Sequence, residues 1–361
     1  MSGSMFVGLD VHALRTVAAT LDPGTGELSV AKLDTTSDAI VDFLADVGPG
    51  CRAVYEAGPT GFVLARAAAE RGIDLRVVAP GLIPRKPSDR VKTDRKDAIR
   101  LARLLAAGEL SFARTPTLEE EAFRDLVRAR EDVRRDLTAA RHRLSKFLLR
   151  RELRWTGRCG RWTGPYVQWL RGLSFPDPAS HTTLVEYVAA HDSLLQRRSA
   201  LEQAIKLAVP ASPYAQTIAR LRCFRGIDTL TAAGLAAEIG DFGRFAHPKL
   251  VASFVGLVPS EHTSDTRRRL GSITKAGSQH ARWLLVESAH HYRRKPLVGR
   301  ELTRRQHGQD PRACQVAWRA QQRLYKQYRK LRLERHKPAG VVTIAQAREL
   351  STFLWEAATL H

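Results

Sequence analysis

Cysteine is scarce in this sequence, and the few cysteines are far apart. The 361 residues include four of them, and no two form a Cys-x-x-Cys pair; they are Cys51, Cys159, Cys223 and Cys314. This spacing argues against a zinc ribbon and against a disulfide framework. We therefore expect reduced thiols and a cytoplasmic protein.

Long hydrophobic runs are absent as well. No apolar stretch approaches the roughly 18 residues that a membrane-spanning helix needs. The first five residues, MSGSM, lack the apolar region of a signal peptide. We expect no membrane segment, while a hydrophobic content of 43% is enough for a folded core and the length suggests two or three domains.

Acidic residues are few relative to basic ones. The chain has 37 Asp and Glu against 58 Lys and Arg, which gives a formal net charge of +21. Such a charge attracts polyanions and accelerates encounter with them. The balance predicts a nucleic-acid partner, although charge alone does not distinguish DNA from RNA.

Residues 5–107 are predicted to form an α/β domain. The apolar segments and turn residues indicate strands at Met5–Val11, Leu14–Leu21, Leu28–Leu33, Ala53–Tyr55 and Leu75–Ala79, with helices beginning near Ser37, Thr60 and Asp94. The order is β-β-β-α-β-α-β-α. Three antiparallel strands followed by two crossovers are typical of the ribonuclease H-like fold.

Residues 108–215 are predicted to be a helical, coiled-coil connector. Apolar residues recur every three or four positions over 116–152, with Arg130 in one of the apolar slots. This seam fits either one helix of an intramolecular bundle or a coiled coil that pairs two chains. A second helix is predicted over 182–208, and the Trp-, Gly- and Pro-rich residues 153–180 are predicted to be irregular.

The rest of the chain is predicted to be mostly helical. Residues 216–300 are expected to form a compact domain punctuated by glycines, and residues 301–361 a basic helical tail. Trp318, Tyr325 and Tyr328 lie among many Arg and Lys residues in this tail. Interleaved aromatic and basic residues suit nucleic-acid binding.

Four acidic residues stand at the predicted ends of elements in the first domain. Asp10 lies in the first strand, Glu56 ends the fourth, and Asp94 and Asp97 share one face of a helix's first turn. The first and fourth strands are neighbours in a sheet of this order, so the four carboxylates can converge. Converging carboxylates repel unless a cation lies between them. We predict that they hold Mg²⁺ or Mn²⁺ for phosphodiester chemistry.

Ordinary roles are available to each of these residues taken singly. Asp94 could be only a helix N-cap, and Asp97 could only favour the helix dipole. His12 would project to the same face as Asp10, where it could support a metal ligand or contact nucleic acid. We interpret it instead as a structural histidine.

The motifs of several regions together resemble one protein family. GLDVH, YEAGPTG and KTDRKDA, with GLVPSEHTS and RRRLGSITKAG downstream, are similar to the DEDD transposases of bacterial insertion sequences. This is insertion-sequence family one-ten, also called bridge recombinases. The resemblance covers roughly residues 5–107 and 216–290, and the segment from Arg225 resembles the family's helix-hairpin-helix.

The resemblance implies a mechanism that the spacing of residues alone does not indicate. Such enzymes have a RuvC-like domain with a DEDD metal site, which corresponds here to the four carboxylates named above. A second domain supplies a serine nucleophile, which corresponds to Ser264, and a structured RNA selects donor and target double-stranded DNA. The two domains meet across subunits, so we expect a homodimer or homotetramer.

Basic residues near the serine are candidates for phosphate contacts. They are Arg267, Arg268 and Arg269, with Lys275 and Arg225 further away. A solvated surface lysine is the alternative for Lys275. The chain departs from the family at two places. The family often has Gly directly after the serine, where this chain has Asp265. The family's hairpin usually has Pro-Gly, where this chain has Arg225 and Gly226.

Two other classes of protein fit parts of the pattern. A hydrolytic nuclease, such as a junction resolvase, would use the same carboxylates but would need no serine. A DEDD exonuclease normally has Asp-x-Glu in its first strand, where this chain has His12. A protein that only packages nucleic acid would use the basic tail, but it offers no reason for four convergent carboxylates.

Overall fold

A computed structural model describes residues 4–84, 93–261 and 269–360 of the chain. The chain divides into two compact units, Met1–Thr117 and Leu118–His361. The finer division into four domains remains a prediction. Within the described ranges, no helix combines the length and the hydropathy needed to cross a membrane.

The N-terminal unit alternates strands and helices in the predicted order. Its elements are β1 (Phe6–Val11), β2 (Thr16–Leu21), β3 (Leu28–Leu33), α1 (Ser37–Val47), β4 (Arg52–Glu56), α2 (Val63–Glu70), β5 (Asp74–Val78), α3 (Asp94–Ala106) and β6 (Phe112–Ala113), with a 3-10 turn at Pro80–Leu82.

The described strands of this unit form one six-stranded sheet in the order β3-β2-β1-β4-β5-β6. Strands β1, β2 and β3 pair antiparallel, as in two successive hairpins, whereas β4 pairs parallel with both β1 and β5. The prediction that the first and fourth strands are neighbours is therefore confirmed. The short β6, which pairs antiparallel with β5, was not predicted.

Side chains alternate between the two faces of the sheet along each strand, and different helices cover the two faces. Val7 and Leu9 of β1 pack in a buried cluster with apolar residues of α1 and α2. Residues of the opposite face, such as Val54 of β4, pack with Leu101 and Leu105 of α3. Because successive side chains point to opposite faces, Asp10 and Glu56 belong to the face that α3 covers.

Helix α2 begins three residues later than predicted, at Val63 instead of Thr60. Gly61 has a φ of +65°, which a right-handed helix excludes, and its carbonyl accepts a hydrogen bond from the Tyr55 hydroxyl at 3.0 Å. The turn before the helix is thus held to the sheet, and the helix starts only beyond it.

The C-terminal unit is mostly helical. Its elements are α4 (Leu118–Leu149), α5 (Gly164–Arg171), α6 (Pro178–Ala208), α7 (Ala215–Leu221), α8 (Thr229–Ile239), α9 (Pro248–Phe254), β7 (Pro259–Glu261), β8 (Leu270–Ile273), α10 (Gln279–Ala289), α11 (Arg300–Gln306), α12 (Pro311–Tyr328) and α13 (Ala339–Ala358). Short 3-10 turns lie at Val209–Ala211, Phe242–Arg244 and His290–Arg293, and a π-helical segment at Arg329–Glu334 extends α12.

The predicted heptad seam packs within the chain. Helix α4 runs antiparallel to α6, since Arg130 donates to Glu202 at 2.5 Å while Arg141, further along α4, contacts His191, which comes earlier in α6. Seam residues such as Leu137 and Leu144 are fully buried. These contacts support the intramolecular alternative, and Arg130 fills an apolar slot because an acid faces it.

Residues 153–180 are more ordered than predicted. They contain α5 and the beginning of α6, where Asp177 caps the helix by accepting a hydrogen bond from the Ser180 amide at 2.7 Å. Tyr166 and Leu170, four residues apart on α5, are buried. The glycines suggested an irregular segment, but aromatic burial stabilises this helix.

The remaining helices share one hydrophobic core. Helix α8 is apolar nearly all round, and residues of α10, α12 and α13 are buried around it. Strands β7 and β8 form an antiparallel pair that the helical prediction for this region missed. The two strands are short and mostly polar, so the sequence carries little of the alternation that would identify them.

Candidate active site

Asp10 and Glu56 occupy equivalent places on neighbouring parallel strands. The last paired residues of β1 and β4 are Leu9 and Tyr55, and each acid is the next residue in its strand. Both carboxylates therefore start from the same face and the same end of the sheet. This is the arrangement that the sequence predicted.

Asp94 and Asp97 lie in the first turn of α3, on the same face of the sheet. The N-cap of this helix is Thr93, whose side chain accepts a hydrogen bond from the Lys96 amide at 3.3 Å. A capping role for Asp94 is therefore excluded. Its side chain is 61% exposed and remains available to a ligand.

A glycine brings α3 onto the strand that carries Asp10. A Cβ placed on Gly8 would lie 2.2 Å from the carbonyl oxygen of Ala98 and 2.5 Å from the amide nitrogen of Ala102. Only a residue without a side chain allows this approach. The sequence signal for this approach is a glycine inside a strand, two residues before Asp10.

Three side chains converge at the end of β1. The ligand atoms of Asp10, His12 and Asp94 all lie within 4.8 Å of one another. The His12 Nε2 atom is 3.3 Å from Asp10 Oδ2 and 3.7 Å from Asp94 Oδ1. His12 is 53% exposed and lies between two carboxylates, which differs from the structural histidine that the sequence suggested.

The other two predicted acids do not join this group in the described residues. Asp97 is buried and accepts a hydrogen bond from Arg100 at 2.5 Å. Glu56 shares the sheet face but contributes no atom within the 4.8 Å group. The structure thus brings Asp10 and Asp94 together, with His12 as a partner that the metal prediction had left out.

The electrostatics of Asp10 indicate a crowded acidic site. Partial burial raises the pKa of Asp10, and the negative charges of Asp94 and Asp97 raise it further, while His12 opposes them. Nearby carboxylates disfavour each other's ionisation, and a bound cation would reduce this repulsion. Two of the three donors in this group are hard carboxylate oxygens, which fit Mg²⁺ or Mn²⁺, and the third is the His12 imidazole.

The predicted serine lies outside the described residues, in the connection between β7 and β8. Ser264, Asp265, Arg267 and Arg268 all belong to this connection, and their positions remain predictions. Arg269, directly before β8, is exposed.

Lys275 follows β8 and is held by the backbone. Its φ is +57°, an unusual value for a residue with a side chain, and its amide donates to the Gly256 carbonyl at 3.1 Å. A Cβ on Gly256 or on Gly277 would collide with the backbone of the opposing segment. The segment that carries Lys275 is therefore packed tightly against the end of α9.

Arg225 lies in the turn between α7 and α8. Its Nη1 atom donates to the Lys295 carbonyl at 2.8 Å, which ties this turn to the segment after α10. Partial burial lowers the pKa of Arg225, and the neighbouring Arg294 acts in the same direction. Its proposed contact with phosphate stays a prediction.

Comparison with known proteins identifies the family. Residues 7–151 match a family model described as Transposase, of the IS110 DEDD type, and residues 218–304 match the model described as Transposase IS116/IS110/IS902 family. A putative transposase, y4qE, of Sinorhizobium fredii is 39% identical over 97% of this chain and 87% of its own length. The chain belongs to the IS110 family of insertion-sequence transposases.

Other relatives of this transposase carry similar names. The transposase for insertion sequence element IS1533 of Leptospira borgpetersenii is 31% identical over 93% of this chain and 99% of its own length. A probable family 20 transposase of Pseudomonas aeruginosa is 26% identical over 87% of this chain. The resemblance inferred from the motifs is confirmed, and the protein is an enzyme that acts on DNA.

The contact between Gly8 and α3 gives a testable consequence for the transposase. Gly8→Ala is expected to destabilise the fold by about 3 kcal/mol, because the added methyl group would overlap backbone atoms that cannot move independently. Urea denaturation measures this loss. The matched control is Gly81→Ala, where no atom lies within 4 Å of the added Cβ and little change is expected. A Gly8→Ala protein as stable as the parent would contradict the close approach of α3 to β1.

Proposed function

We propose that this transposase is an RNA-guided recombinase, which cuts and rejoins DNA strands through a serine–phosphodiester intermediate assisted by divalent metal. The observation that carries the proposal is the convergence of Asp10 and Asp94 at the end of β1, in a member of a DNA transposase family. Each part of the proposal rests on a different segment of the chain.

We assign the N-terminal unit to the ribonuclease H-like, RuvC-like fold. The support is the sheet order β3-β2-β1-β4-β5, with three antiparallel strands joined to two parallel ones. The acids lie on the first strand, at the end of its parallel neighbour and at the start of α3. An active site at the ends of central strands suits an open α/β sheet.

Asp10, Glu56, Asp94 and Asp97 would hold the Mg²⁺ or Mn²⁺. A divalent cation bound by these carboxylates would supply Lewis-acid stabilisation of the charge that develops on phosphate oxygens. His12 contacts both Asp10 and Asp94, and so it restricts the orientations of their carboxylates. Asp97, bonded to Arg100, is held in the first turn of the helix.

Ser264 would be the nucleophile. Its hydroxyl oxygen would form a bond to phosphorus while one bridging oxygen of the DNA strand leaves as a hydroxyl, which takes the proton that the serine loses. The phosphoserine ester keeps the energy of the broken bond, and so attack by a hydroxyl of another strand can rejoin DNA without ATP. A serine hydroxyl is weak at neutral pH and needs activation.

Cations around the serine segment would bind the phosphate groups. Arg267, Arg268 and Arg269 follow the serine directly, and a guanidinium can donate two parallel hydrogen bonds to a phosphate. Arg269 and Lys275 stand before and after β8. Arg225 would contact the DNA backbone from the turn before α8.

The RNA and the assembly complete the proposal. A structured guide RNA would pair with donor and target double-stranded DNA, so that base pairing rather than the protein determines the sequence selected. The net charge of +21 suits a protein that binds both nucleic acids. A homodimer or homotetramer would bring the metal site of one subunit to the serine of another.

The role of RNA can be tested with the purified protein. RNA that co-purifies is sequenced, and strand exchange between donor and target duplexes is measured before and after ribonuclease treatment. We expect ribonuclease to abolish strand exchange, and the sequenced RNA, added back, to restore it. Exchange that survives ribonuclease would exclude RNA guidance. Cut DNA without joined products or a covalent intermediate would instead favour a hydrolytic nuclease.

A further inference from the structure

A strongly basic surface lies where α4 turns back towards α6. Residues 141–172, here named the hairpin tip, comprise the last turns of α4, the loop that follows it, and α5 with the glycine after it. They contain nine Lys or Arg side chains and a single acid, Glu152. The metal and serine sites use none of these residues.

Three of the nine cations are engaged within the protein. Arg141 lies 4.9 Å from the centre of the Trp162 ring, Arg151 donates to the Ser180 hydroxyl at 2.8 Å, and Arg171 donates to Asp192 at 2.7 Å. These contacts hold the tip together. They help to fix the geometry of the loop but leave most of its charge unbalanced.

The other six cations are exposed and lack a compensating charge. None of them forms an ion pair with an acid in the part of the chain that the structure describes; they are Arg143, Lys146, Arg150, Arg154, Arg158 and Arg161. Elsewhere many exposed arginines do form such pairs, for example Arg71 with Asp42. Like charges held together destabilise a fold unless a partner neutralises them.

Aromatic packing gives the loop that carries these cations a defined shape. The Trp155 indole donates to the Cys159 carbonyl at 2.8 Å, and Gly157 lies so close to the Trp155 ring that a Cβ would be 2.1 Å away. Trp162 stacks on His191 at 5.0 Å, and Tyr166 packs edge-on against Trp155. A loop already ordered loses less conformational entropy when it binds a partner.

We propose that the hairpin tip binds the phosphate backbone of duplex DNA. Six uncompensated cations on an ordered surface fit a polyanion of regular charge, and the enzyme acts on DNA. The rings of the tip pack on one another, so the contact is to phosphates and does not depend on base sequence. The inference rests on the DNA substrate alone, and on neither the proposed metal nor the proposed serine.

The test is the salt dependence of DNA binding by the full-length protein. Arg150, Arg154 and Arg158 are replaced together by Gln, and the Kd for a random-sequence duplex is measured by fluorescence anisotropy over a series of NaCl concentrations. Each phosphate contact contributes about 0.9 to the slope of log K against log salt, so the slope is expected to fall by up to about 2.7. The corresponding triple Lys variant keeps the charges and is expected to keep the slope.

The control removes three exposed arginines that already have acidic partners. Arg71, Arg76 and Arg304 pair with Asp42, Asp74 and Glu301, so their replacement by Gln lowers the net charge equally without removing free cations. We expect this control to have the parent's slope. A tip variant with the parent's slope, and circular dichroism unchanged, would overturn the proposal.

A second arm compares nucleic acids. The slope of log K against log salt is also measured with a structured RNA of equal length. If the Gln variant lowers this slope for the RNA but not for the duplex, the assignment to DNA is wrong. Ser264→Ala is expected to lose strand exchange and keep the parent's slope with DNA. Failure of the serine proposal and failure of the tip proposal therefore give different results.

Discussion

Asp10→Asn is expected to lower the rate of DNA strand exchange by about a thousandfold or more, because it would remove a proposed ligand of the metal ion that stabilises charge on the phosphodiester. Asn is nearly isosteric with Asp but carries no charge, so the strand and its packing should remain intact. The rate is measured with the co-purified RNA, donor and target duplexes, and saturating Mg²⁺.

Asp10→Asn should also differ from the parent in how Mg²⁺ changes its unfolding temperature. Without divalent cation, Asp10→Asn is expected to unfold at a higher temperature than the parent. Burial and the charges of Asp94 and Asp97 raise the pKa of Asp10, and so the folded state disfavours its ionised form at neutral pH. Mg²⁺ should raise the midpoint of the parent but not that of the variant, since a ligand stabilises only a protein that binds it.

Asp46→Asn is the matched control for Asp10. Asp46 is exposed near the end of α1, and its replacement should leave both strand exchange and the Mg²⁺ response unchanged. The metal proposal is wrong if Asp10→Asn retains both the parent's activity and the parent's stabilisation by Mg²⁺.

Ser264→Ala is expected to abolish the covalent protein–DNA adduct altogether. Alanine has no oxygen that can bond to phosphorus, so no strand can be attached to the protein. The adduct is detected as labelled DNA that migrates with the protein on a denaturing gel. Because the carboxylates are untouched, stabilisation by Mg²⁺ should persist in this variant.

Ser260→Ala is the control for the serine. The Ser260 hydroxyl donates to the Ser272 carbonyl at 3.1 Å and bridges β7 and β8, four residues before Ser264. We expect its replacement to preserve adduct formation. An adduct formed by Ser264→Ala would show that another residue is the nucleophile, and loss of the adduct in Ser260→Ala alone would move the assignment there.

Much of the N-terminal unit could be predicted because its signals are local. Strands β1 to β5 are short apolar segments bounded by turn residues, and their bounds differ from the predicted ones by a few residues at most. Element order then determines which strands are neighbours, and so it places Asp10 beside Glu56. The sequence also predicts Asp94 and Asp97, three residues apart, at the start of a helix, whereas the cap at Thr93 is found only in the structure.

Contacts between distant segments could not be predicted in the same way. The apolar seam of α4 has the same spacing whether its partner is α6 or another chain, and only the folded unit pairs Arg130 with Glu202. Strands β7 and β8 lack alternation, so nothing local distinguishes them from loop. Helix α5 was missed because its glycine- and tryptophan-rich surroundings obscured two buried residues.

The sequence by itself determined the chemical type of the site: several carboxylates at element ends, in a chain with a charge of +21. The tertiary structure decided which of them meet. Asp10 and Asp94 converge because Gly8 lets α3 lie directly on β1. Asp97 instead accepts a hydrogen bond from Arg100, and His12 lies near both Asp10 and Asp94. Spacing along a chain restricts which face a side chain occupies, but the distance between two elements is set by the volume of the residues between them.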